Sequence, residues 1–165
     1  MIKIRSIILV SLIICSCQEV SDKNIENPVG KVEEDTLTNL KLKKDLISRG
    51  YQIFDYVDDE SQDTILMQQY YMAFLKRGKN TTQTKRELDS LQKLHLAHLG
   101  RMYKMGYADI SGPFGDNGDI RGITIYNVPT LEMADSLANL DPMVRAGRLK
   151  IEIHPWWAGK GLPLR

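Results

Sequence analysis

Residues 65 to 78, "ILMQQYYMAFLKRG", constrain this chain most. From Tyr70 to Leu75 apolar and aromatic residues fall on both faces of an extended strand. That pattern suits a strand covered on both sides, so the rest of the fold must be arranged around it. Gly78, Lys79 and Asn80 end it.

The period then changes. Between Thr84 and Met105, Leu88, Leu91, His95, Leu99 and Met102 recur every three or four residues, with Arg86, Asp89, Ser90, Lys93 and Lys104 on the other side. This is an amphipathic helix that Gly106 stops. "YADIS" (107–111) and "IRGITIYNV" (120–128) read as strands, "PTLEMADSLANL" (129–140) as a helix capped by Thr130, and "DPMVRAG" (141–147) as a single turn capped by Asp141. "RLKIEIHPW" (148–156) alternates as a half-buried strand. Strand, helix, strand, strand, helix, strand is the α+β ferredoxin-like βαββαβ sandwich, with both helices on one sheet face. The bare second face predicts a homodimer of the α+β barrel type.

Ahead of this domain, "LKLKKDLISRG" (40–50) reads as a short helix and "YQIFDYV" (51–57) as a short strand. The expected organisation is a signal segment over 1–17, a polar linker over 18–38, an N-terminal extension over 39–66, the folded domain over 67–157 and a tail over 158–165. The signal reading rests on Lys3 and Arg5, followed by an apolar run from Ile7 to Ile14 that is far short of the roughly 20 residues a spanning helix needs. Ile14-Cys15-Ser16-Cys17 looks like a bacterial lipobox, with Cys17 the acylated residue because small Ser16 precedes it. The expected location is therefore the cell envelope, lipid-anchored at the periplasmic face or outer membrane.

Both cysteines lie in this segment, which leaves the domain without a disulfide, a zinc-thiolate site or a cysteine nucleophile. Removing Lys3 and Arg5 leaves 20 basic residues against 21 acidic ones, a balance that gives no support for nucleic-acid binding.

"GPFGDNGDIRG" (112–122) leads into a strand, so it is not a dinucleotide or phosphate loop, and its acidic spacing does not make a calcium loop. No cofactor and no metal is expected. Asn117-Gly118 predicts a hairpin with a type I′ corner. His95 sits in the middle of its helix's apolar stripe, with Leu88, Leu91, Leu99 and Met102 within about 40 degrees of it. An imidazole there must be neutral or paired: it is either a core histidine bonded to a backbone carbonyl, or a general base oriented by a carboxylate. His98 reads as a boundary residue. His154 lies on the polar face of the last strand.

Taken together, "YYMAFLKRG" (70–78), "HLAHL" (95–99), "GYADISGPFGDNGDIRGITIYNV" (106–128) and "TLEMADSLANLDPMVRAGRLKIEIHPWW" (130–157) resemble the YCII-related (YciI-like) family. The resemblance implies a small ferredoxin-like domain that dimerises, with His95 and Asp116 as the active-site pair and Asp119 as the nearest substitute for Asp116. Phe114, Asp119, Arg121 and Trp156 are the expected contacts to a small-molecule ligand. Two functions follow: a lyase, isomerase or hydrolase that moves a proton with His95 and Asp116, or a non-catalytic binding or assembly module at the envelope.

Overall fold

The structure, a computed structural model, describes residues 28–162 and residue 164. The signal segment and Cys17 lie outside the described residues. Among those residues no helix is long and apolar enough to cross a membrane.

Helix α1 runs Pro28–Ser48, so the segment expected to be linker is already helical from Pro28. Strand β1 (Ile53–Val57) turns back into β2 (Thr64–Arg77), the long strand expected at the centre. Helix α2 (Lys85–Lys104) follows, then β3 (Ala108–Pro113), β4 (Ile120–Tyr126), α3 (Leu131–Ala138), the single turn α4 (Pro142–Arg145) and β5 (Leu149–Gly159). β5 runs three residues past the expected end at Trp156, so Trp157 also belongs to the sheet.

β2 pairs antiparallel with β5 along residues 67–77, with β4 along 71–76 and with β1 along 64–68; β4 also pairs with β3. The order β3-β4-β2-β5 is the ferredoxin-like antiparallel sheet, extended by β1. Tyr71, Ala73 and Tyr126 meet Met102 of α2 and Ala134 and Ala138 of α3 in one core, which Ile151 and Ile153 flank. Met102 is 2% exposed, and burying such a side chain contributes on the order of 1.5–3 kcal/mol. Leu42 and Leu46 of α1 form a smaller cluster with Tyr51, Ile53 and Leu66.

Local signals fix the ends of α2. The Thr84 hydroxyl accepts from the Glu87 N–H while the Glu87 carboxylate accepts from the Thr84 N–H, and the Thr84 backbone bond holds Glu87 below its ordinary pKa. At the other end Gly106, at φ +72°, lets Gly106 N–H reach the Tyr103 carbonyl and Tyr107 N–H reach Met102.

Candidate active site

At one end of the sheet β2 and β3 end while β4 and β5 begin, and α2 and α4 close over the gap. A cavity of about 330 Å³ opens there, lined by Leu75 and Arg77 of β2, Gln92, His95 and Leu99 of α2, Arg121 and Ile123 of β4, Met143 of α4, and Arg148 with Leu149. Gly78 makes this corner possible. A β-carbon on it would lie 2.1 Å from the Gly147 carbonyl oxygen, so only glycine lets the end of β2 pass the end of α4.

His95 is 9% exposed, and its Nδ1 lies 2.6 Å from Asp141 Oδ2. Asp141 is 2% exposed, and its other oxygen accepts the Met143 N–H at 2.9 Å as the cap of α4. One buried carboxylate therefore serves two donors, the helix cap and the imidazole. Both of its oxygens are paired, which is what allows a charge to stay inside. With Nδ1–H donated to Asp141, Nε2 is the nitrogen left for the cavity.

Asp141 also acts on its neighbours. Burial raises the Tyr126 phenol and the Asp141 charge pushes it further the same way. Burial lowers His98, which Asp141 opposes without reversing. His98 is 2% exposed, so it is a core residue and not the boundary residue its position on the stripe suggested. Its Nδ1 lies 3.2 Å from Arg101 Nη2, and its buried Nε2 has no partner among the described residues.

Asp116 is not the carboxylate that His95 meets. It is exposed on the 114–119 loop, where Oδ1 accepts the Gly118 N–H at 3.1 Å and closes a local turn. Neither Asn117 nor Gly118 takes the positive φ of a type I′ corner. The loop is instead held from outside: Arg77 donates to the Gly118 and Asn117 carbonyls, and Arg121 to those of Asp116 and Gly118. Six residues clasped by two guanidiniums have no need of a two-residue corner.

Of the other residues expected to touch ligand, Arg121 lines the cavity with His95. Phe114 is 44% exposed, and Asp119 faces Lys76 at 3.7 Å with its side chain half exposed. Trp156 lies elsewhere, lining a separate cavity with Tyr70, Ile110 and Ile125, its ring 6.2 Å from that of Tyr70. Among the described residues no group of three His, Cys, Asp or Glu side chains is placed to hold a metal. Arg77, Arg148 and Asp141 were missed as site residues. For Asp141 the one available signal was its identity as an N-cap two residues before a buried Met143, which the sequence explained fully as capping.

Fold and site together define an α+β ferredoxin-like domain with a buried His–Asp pair at the wall of a small cavity. No protein-family model matches the chain, and no curated protein matches it. Solved structures that match include 5-chloro-2-hydroxyhydroquinone dehydrochlorinase (TftG) from Burkholderia phenoliruptrix AC1100 in complex with 2,5-dihydroxybenzoquinone. The match has 19% identity and a TM-score of 0.40, and covers 53% of this chain and 92% of that one.

Proposed function

We propose that this chain is an envelope-anchored YCII-like domain whose cavity carries out acid/base chemistry on a small organic molecule, with His95 as the proton acceptor and Asp141 as its positioning residue. The observation that carries the reading is the 2.6 Å contact between His95 Nδ1 and Asp141 Oδ2 in the wall of the cavity. Asp141 holds the Nδ1–H tautomer, so the Nε2 lone pair takes the substrate proton and returns it later in a lyase, isomerase or hydrolase step.

The test is proton–deuterium exchange from solvent into a panel of small carbonyl and hydroxy-aromatic compounds, followed by NMR. Wild type is expected to exchange at least one member, and His95→Gln to lose about 100-fold or more of that rate. Equal exchange by both proteins rejects proton transfer and leaves a binding module as the function.

Two further elements belong to this proposal. Acylation of Cys17 anchors the domain, which lipid labelling of wild type and its absence in Cys17→Ser would establish. Two copies pair through the sheet face that carries Met72, Phe74, Ile123 and Trp156, opposite the helices; light scattering of the full chain in mild detergent is expected to give twice the monomer mass. A monomer at micromolar concentration would reject the pairing.

A further inference from the structure

Three arginines line the His95 cavity: Arg77, Arg121 and Arg148. No aspartate or glutamate is among the described residues that line it, and none of the three arginines forms an ion pair among the described residues. Asp141 is committed to His95 and to the cap of α4. The cavity wall therefore carries three guanidiniums that stay charged at any physiological pH, with no carboxylate on it to offset them. A concave surface of one sign concentrates ions of the other.

The donors are only partly used. A guanidinium has five N–H groups. Arg77 commits Nε and Nη2 to the loop carbonyls and Arg121 commits Nη1, while the Arg148 guanidinium has no hydrogen-bond partner among the described residues. The loop bonds hold Arg77 and Arg121 in place before any ligand arrives, which lowers the entropy cost of clamping one.

Beside Gln92 and Thr81, the wall also carries the apolar side chains of Leu75, Leu99 and Met143. A bare inorganic anion would leave that surface unused, whereas a planar carboxylate on a hydrocarbon or aromatic body matches both parts.

We infer that the cavity receives a small organic carboxylate, clamped by Arg77, Arg121 and Arg148 with its apolar body against the leucine and methionine side. The inference deepens the proton-transfer reading and rests on its cavity. When His95 removes a proton, the negative charge left on such a ligand stays in the field of the same guanidiniums.

The test is calorimetric titration of the full chain in mild detergent with benzoate and phenylacetate, with benzamide and phenylacetamide as neutral counterparts, and with inorganic phosphate. At least one carboxylate is expected to bind about tenfold or more tighter than its amide, and Arg148→Gln to weaken it about fivefold or more. The Arg148 guanidinium has no partner among the described residues to lose, and glutamine keeps the backbone bonds to Met143 and Gly78, so the variant is expected to keep the wild-type thermal midpoint. Equal binding of acid and amide overturns the inference, as do binding of phosphate alone, binding of neither acid, and undiminished binding by Arg148→Gln.

His95→Gln separates this inference from the proton-transfer reading. Carboxylate binding with exchange that survives in His95→Gln rejects proton transfer alone. Exchange lost in His95→Gln without carboxylate binding rejects the clamp alone.

Discussion

His95 and His98 stand three residues apart on α2, and both are buried. His95 meets a carboxylate, Asp141, and opens on a cavity. His98 meets a cation, Arg101, and its second nitrogen is buried without a partner among the described residues. Burial is thus common to both, and what separates a chemically usable imidazole from a core one is the partner and the open side. A carboxylate leaves one nitrogen as a directed base. A guanidinium requires the lone pair of His98 Nδ1 as its acceptor, which puts the proton on Nε2, where no described residue receives it.

Three measurements can break or sharpen this contrast. The largest effect is expected from Asp141→Ala, which removes the partner of His95 and the cap of α4 together. A hydrogen bond to a charged group contributes about 1.5–3 kcal/mol and a lost N-cap costs about 0.5–2, so denaturant unfolding should show a loss of about 2–5 kcal/mol. Asp141→Asn keeps the acceptor for Met143 N–H, and therefore most of the stability, but presents an amide to Nδ1; the ¹⁵N shifts of His95 should then report the opposite tautomer. A loss below about 1 kcal/mol in Asp141→Ala would mean that the pair does not organise the site.

The next effect concerns His98 and is a pH effect. Burial lowers its folded pKa below the ordinary 6.5, so the unfolded chain binds a proton more readily than the folded one. Its contribution is therefore intact above pH 6.5 and is lost as pH falls from 6.5 toward the lowered folded value. The thermal midpoint should drop between pH 7.5 and 5.5, and the drop should be smaller in His98→Leu (pH values about one unit either side of the ordinary His range). Identical pH profiles would show that His98 is not the group responsible.

The smallest effect is expected from Asp116→Asn. Asparagine keeps the oxygen that accepts the Gly118 N–H, and the residue is exposed, so the thermal midpoint and the ¹⁵N shifts of His95 should both stay as in wild type. A change in the His95 shifts would bring Asp116 back as a partner of the imidazole.

Part of the site was legible in the sequence. His95 stands out because an imidazole in an apolar stripe demands a partner, and Asp141 stands out as a cap. That each is the other's partner was not legible, because Asp141 already had a complete local explanation and lies 46 residues away. The resemblance assigned the carboxylate to Asp116, and packing of α4 against α2 gave it to Asp141. The same holds for the arginines: Arg77, Arg121 and Arg148 sit at the ends of three different strands. Nothing in their spacing says that those ends share one cavity.

By itself the sequence determined the order of elements, because the boundaries from α2 to α4 rest on short-range chemistry. The Thr84–Glu87 box starts α2, Gly106 ends it, Thr130 and Asp141 cap α3 and α4, a run apolar on both faces marks β2 and alternation marks β5. Its reading failed where a distant group outweighs the local preference. Asn117-Gly118 gave up the type I′ corner because two arginines hold the loop from β2 and β4, and the strand ran on through Trp156 and Trp157 because the start of β2 remained to be paired. The tertiary structure alone decided which carboxylate meets His95, since a buried charge goes where packing supplies donors for both of its oxygens.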